Sequence, residues 1–238
     1  MNRNNRPLVI AVLVSALLWN IPFLNVALYP FKLFVTWLHE LSHGLVMLCV
    51  GAGFDKLEIF PDTSGLAHAK GGVGSFGRSL IACAGYMGTA LAGGGLLVLG
   101  ETAKGTRTGF LSIAIAMAIS TLLWISNPFG WYSAGVGILF FFVMAAIPFT
   151  EFSRFTLHLV AAQACVQAFL DVRVLFRPQL VINGKIVSDS DAHTMAKVAF
   201  GSPRFWGVLW LLWCLLIWFA ALKHMQKRTL QAPKKETT

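Results

Sequence analysis

The stretch Leu33–Val50, LFVTWLHELSHGLVMLCV, decides how this chain is read. It is apolar except near its middle, where His39-Glu40-Leu41-Ser42-His43 reads H-E-x-x-H. On a helix, residues i and i+4 share a face, so His39 and His43 can present both imidazoles to one metal ion. Glu40 lies about 100° round the helix from His39, within reach of a metal-bound water. Burying a carboxylate at mid-bilayer costs about 2.5–3.5 kcal/mol, which a sequence tolerates where the group has a job or a partner. The alternative is a chance five-residue match on a core helix, which the membrane setting disfavours.

Working outward, the chain is 56% hydrophobic and only 12% charged, where soluble domains are nearer one quarter charged. Apolar runs long enough to cross a bilayer, about 20 residues, occur at Leu8–Leu28, Phe31–Val50, Ser79–Leu99, Gly109–Ser126, Gly130–Phe149, Phe155–Phe176 and Phe205–Leu222. The expected fold is an all-α polytopic membrane protein with about six to seven transmembrane helices. A small β-hairpin is expected after the H-E-x-x-H helix, at Phe54–Phe60 and Leu66–Lys70 across the turn Pro61–Gly65.

One membrane domain accounts for residues 1–238: a first span within 7–29, a core over 30–222 and a basic tail over 223–238. Arg3 and Arg6 before the first run suggest a signal peptide, but Asn20, Pro22 and the run's length favour an uncleaved span. The net charge of +9 is mostly terminal and in loops. That pattern reads as positive-inside anchoring in a lipid bilayer, and no nucleic-acid partner is expected. Both ends are basic, which suggests that both face the cytoplasm, whereas seven crossings would separate them. Either one candidate is re-entrant, Gly109–Ser126 or its partner across Asn127–Gly130 being the weakest, or the tail departs from the rule. Cys49, Cys83, Cys165 and Cys214 lie in different apolar runs and read as buried thiols.

A catalytic zinc site needs a third protein ligand besides two histidines. Asp171, His158, His68, Asp189, Asp191, His193 and Glu151 are the candidates. Depth favours Asp171: the H-E-x-x-H centre lies about 15 Å into its run and Asp171 about 21 Å into its own. An interfacial ion pair with Arg173 or Arg177 is the competing role for Asp171. The cluster Asp189-Ser190-Asp191-Ala192-His193 reads first as the capped start of a short helix, with Ser188 or Ser190 as the cap. Asn183-Gly184 is a hairpin-turn signal. His68 reads as a hairpin residue. Ala84-x-x-x-Gly88 and Gly93–Gly95 form a small-residue stripe that allows close helix approach. Asn127-Pro128 reads as a turn, or as a carboxamide donor to a substrate carbonyl or its oxyanion.

Taken together, Thr36–Gly44, Pro61–His68, Gly71-Gly72, Ala84–Gly88, Asn127–Gly130, Leu170–Arg173 and Ser190–Ala192 resemble the site-2 protease family of intramembrane zinc metallopeptidases, in its small bacterial, single-domain branch. The resemblance implies one zinc ion on His39, His43 and an aspartate matched by Asp171, Glu40 as catalytic base, and Asn127 as a tentative substrate-orienting residue. It implies a membrane-protein segment as substrate, an unwound strand of which could add to the hairpin edge, and the bacterial inner membrane as location. Here Val172 follows Asp171 in place of the family's glycine, and the N-x-x-P-x-x-x-x-D-G pattern is absent. Two rival functions stand beside it: a transporter or channel using His39, Glu40, His43 and Asp171 as a proton or cation relay, and a silent homologue that binds zinc and a client.

Overall fold

The computed structural model describes residues 26–148, 150–170, 179–182 and 185–231, together with Ile10 and Val14. The expected first span, Leu8–Leu28, therefore lies almost wholly outside the described residues, as do Asp171 and the Asn183-Gly184 turn.

Helix α1, Tyr29–Cys49, carries the H-E-x-x-H motif and starts with a proline in its first positions, where a missing N–H leaves no bond unmade. It ends at Gly51, which takes φ +79°. The Gly51 amide donates to the Leu48 carbonyl (3.2 Å) and the Ala52 amide to the Met47 carbonyl (2.9 Å). This is the Schellman ending, and glycine adopts its left-handed residue at little cost.

The chain then turns back along α1 as the expected hairpin. Strand β1, Phe54–Ile59, pairs antiparallel with β2, Gly65–Ala69, with Leu57 opposite Ala67 and Ile59 opposite Gly65. At the tip, Asp62 Oδ1 accepts from the Ser64 amide (3.0 Å) and hydroxyl (2.6 Å). Tyr29 donates its hydroxyl to the Pro61 carbonyl (2.8 Å) and Thr36 to the Thr63 carbonyl (2.6 Å), which ties the tip to α1.

Three long helices follow: α2, Ser75–Leu99; α3, Ala103–Leu123; and α4, Pro128–Ala146. Then come α5, Glu151–Leu170, a second hairpin of β3, Gln179–Ile182, and β4, Lys185–Asp189, the short α6, Asp191–Val198, and α7, Pro203–Gln231. Helix α2 is the hub: α1, α5, α6 and α7 all pack on it.

Among the described residues, four helices are long and apolar enough to cross a membrane: Ser75–Leu99, Ala103–Leu123, Pro128–Ala146 and Pro203–Lys227. The two spans read as weakest from sequence are both among them. Helices α1 and α5 are of similar length but hold polar groups, His39, Glu40 and His43 in one and Arg154, His158 and Gln163 in the other. The outward residues of α4 and α7, such as Leu139, Val143, Leu212 and Phe219, are exposed over about half their surface or more. Large apolar side chains so displayed suit contact with lipid tails.

The segment after α3 joins the first hairpin from its other side. The Leu57 amide donates to the Trp124 carbonyl (2.7 Å), and the Ser126 amide donates to the Leu57 carbonyl (3.1 Å). The rings of Phe54 and Trp124 stack at 4.5 Å. Phe54 reaches α1 because Gly44 has no side chain: a Cβ there would fall inside the Phe54 ring. Gly44→Ala is therefore expected to lower stability by about 1–3 kcal/mol through overpacking. Denaturant unfolding of the detergent-purified chain measures it, and an unchanged midpoint contradicts this packing.

Candidate metal centre

The α1 helix places His39 and His43 one turn apart, and their rings meet edge to face at 4.6 Å. Each ring is held from behind. His43 Nδ1 lies 2.6 Å from the Ile81 carbonyl of α2. A carbonyl accepts only, so Nδ1 carries the proton and Nε2 offers its lone pair to a cation. His39 stands edge-on to the Tyr86 ring at 4.9 Å, and Tyr86 in turn stacks on Trp210 of α7 at 4.6 Å.

The third group comes from Asp191. Its Oδ2 lies 3.1 Å from His39 Nε2 and 3.3 Å from His43 Nε2. Asp191 opens α6, with Ser190 at the N-cap position, although the Ser190 hydroxyl meets His193 Nδ1 (2.9 Å) instead of a helix amide. Ala192 and Met195 of α6 bury themselves against Ala82, Tyr86 and Trp210, and that apolar contact holds the aspartate over the two imidazoles. Burial alone would raise the Asp191 carboxyl. When both imidazoles carry protons on Nε2, the charge on His43 and hydrogen bonds from His39 and His43 outweigh it and hold the group well below the usual carboxylate range; a bound cation would stand in place of those protons.

Glu40 completes the cluster. The ligand atoms of His39, Glu40 and His43 lie within 4.8 Å of one another, as a group that could hold a metal ion. Glu40 Oε2 accepts from the Ala67 amide of β2 at 2.8 Å. Gly65 makes room for it, since a Cβ there would sit 2.7 Å from Glu40 Cγ. On the opposite side, a Cβ at Gly85 would strike both histidine Nε2 atoms, that of His43 at 2.6 Å. Two neutral-capable imidazoles and a carboxylate converging on a space kept clear by a glycine form a nitrogen and oxygen donor set that suits zinc.

The other residues singled out from sequence lie elsewhere. Asp171 is outside the described residues. His68 pairs with Glu58 (2.8 Å), as its reading as a hairpin residue expects. Burial would raise the Glu58 carboxyl, but hydrogen bonds from Lys56 and His68 lower it. Asp189 pairs with Lys197 (2.6 Å), His158 is buried against Gly100, and Glu151 is exposed at the start of α5. Asn127 binds the Ile59 backbone twice, Nδ2 donating to the carbonyl (2.6 Å) and Oδ1 accepting from the amide (3.2 Å).

Depth reasoning passes over Asp191 because it assumes a ligand from a long span, while α6 has only eight residues and a polar sequence. The signal available was the helix start itself, with an acid at the first position after Ser190.

A helical membrane fold enclosing an H-E-x-x-H cluster defines a class of membrane peptidase. The Peptidase M50B-like family matches residues 8–221, and the chain belongs to it. No curated protein and no solved structure matches the chain.

The geometry sets an expectation for metal affinity. Asp191→Ala should weaken binding of cobalt(II), a spectroscopic stand-in for zinc, by more than about tenfold. Asp189→Ala and Asp171→Ala should leave it near wild type. Visible absorption during a cobalt titration of each purified variant decides, and a loss confined to Asp171→Ala would move the third ligand there.

Proposed function

We propose that this chain is an intramembrane zinc metalloprotease that hydrolyses peptide bonds within or next to transmembrane segments of membrane proteins. The observation that carries this reading is the convergence of His39, His43 and Asp191 beside Glu40, in a fold with four helices fit to cross a membrane. Asp191 takes the place that the resemblance gives to Asp171. Zinc held by these three side chains would lower the pKa of its bound water toward about 7 and polarise the scissile carbonyl.

Glu40 is the general base. It takes a proton from the attacking water and returns it to the leaving amine. The Ala67 N–H donates to the Glu40 carboxylate and so fixes its orientation beside the two histidines. Gly85 and Gly88 bring α2 close to the motif, which fixes the position of the histidine rings beside the base.

Substrate is taken as an extended strand. Among the described residues, strand β1 has both edges occupied, by β2 and by Trp124–Ser126, whereas the outer edge of β2 pairs with no strand and faces α1. Ala67 shows its amide to Glu40 on that edge, so a strand added there runs beside the base. Asn127 orients substrate at one remove, by fixing Ile59 and hence the hairpin. The bacterial inner membrane is the location that the resemblance implies.

Glu40→Gln is expected to cut turnover of a reconstituted transmembrane reporter by about 10²–10⁴-fold while zinc content, read by mass spectrometry of the metal, stays at the wild-type level. Equal cleavage by wild type and variant would remove Glu40 from the mechanism. Ion flux across vesicles without cleavage would favour the relay.

A further inference from the structure

A cavity of about 410 Å³ lies where the start of α3, the end of α4 and the start of α5 meet, and it shares no residue with the metal centre. Lys104 and Arg107 of α3 line it, with Thr106, Ser153 and the apolar end of α4 from Met144 to Pro148. Among the described residues, no acidic side chain lines it. Lys104 and Arg107 are exposed and make no ion pair among the described residues. The neighbouring acid, Glu101, faces Arg154 at 3.9 Å, with both side chains largely buried. The start of α3 adds its own partial positive charge, and Thr102 caps the Gly105 amide there.

An apolar stripe leads away from this cationic cavity. Val136, Phe140, Val143 and Ile147 recur at helical spacing along one side of α4 and are 55%, 42%, 48% and 37% exposed. Ile147 belongs to both features, since it also lines the cavity. Two unpaired cations at the end of a lipid-facing stripe have the charge and the polarity profile of one class of ligand.

We propose that this cavity binds the headgroup of an anionic phospholipid, with Lys104 and Arg107 on its phosphate and the acyl chains laid along Val136, Phe140, Val143 and Ile147. Basic pockets between membrane helices bind acidic headgroups in this manner, and each cation near an anionic surface strengthens binding severalfold. The shape of the site asks for a headgroup and tails together, so free phosphate should bind far more weakly. The proposal depends on the membrane placement of α3 and α4 and not on the peptidase chemistry, so it can fail or stand separately from the protease.

Native mass spectrometry of the full chain in detergent tests it, with titration by phosphatidylglycerol, phosphatidylcholine or inorganic phosphate. One phosphatidylglycerol per chain is expected to bind about tenfold or more tightly than phosphatidylcholine, and the double variant K104Q/R107Q should lose that preference. K223Q/K227Q removes the same charge from α7 and should bind as wild type does. Both pairs are exposed, so neither change disturbs the core. Equal loss in the two double variants would show attraction to overall charge and overturn the site. Equal retention of phosphatidylcholine, or displacement of the lipid by millimolar phosphate, would overturn it as well.

Discussion

Everything at the metal centre depends on how closely α2 approaches α1. That approach is set by two glycines, Gly85 opposite the histidine rings and Gly88 opposite Ser42. In lipid, helices gain little by hiding apolar surface from one another, so association relies on close van der Waals contact and hydrogen bonds. The stripe of small residues gives the contact, and the His43 bond to the Ile81 carbonyl gives the polar component. The same face of α2 then continues as Ala82 and Tyr86, on which α6 and α7 rest. One helix surface therefore fixes the imidazoles and also seats the element that brings Asp191 to them.

The first hairpin is the second constraint. A two-stranded ribbon alone is marginal in stability. Here it gains a third, short partner in Trp124–Ser126, a ring stack between Phe54 and Trp124, and the two hydrogen bonds between Asn127 and Ile59. Asn127 acts as one more backbone unit would, giving a donor and an acceptor to the edge of β1. That explains an asparagine at the N-cap of α4 in physical terms: it continues the ladder where Pro128, which has no N–H, begins the helix.

Much of this was legible in the sequence, and what was not has a common cause. The H-E-x-x-H cluster, the hairpin after it and the small-residue stripe each follow from local spacing, and each is present. Asp191 and the Asn127 contacts are long-range facts. Asp191 lies 152 residues from His39, and Asn127 lies 68 residues from Ile59. Helical periodicity carries no information about either distance. The depth estimate that favours Asp171 considers only long helices, so it gives no weight to Asp191, which a short helix packed on α2 brings to the histidines; Asp171 itself lies outside the described residues. Helices α1 and α5 are not among the four candidate spans because polar residues, His39, Glu40 and His43 in one and Arg154, His158 and Gln163 in the other, lower their average hydropathy.

The Ala67 amide joins the two constraints. Alternation along a strand points the amides of Gly65, Ala67 and Ala69 away from β1, and of these Ala67 meets Glu40. The catalytic base proposed here is thus held by the strand edge proposed to receive substrate. A segment pairing along that edge would compete for the same N–H, so substrate and base would draw on one donor. Base and edge are then a single unit, joined through one backbone N–H.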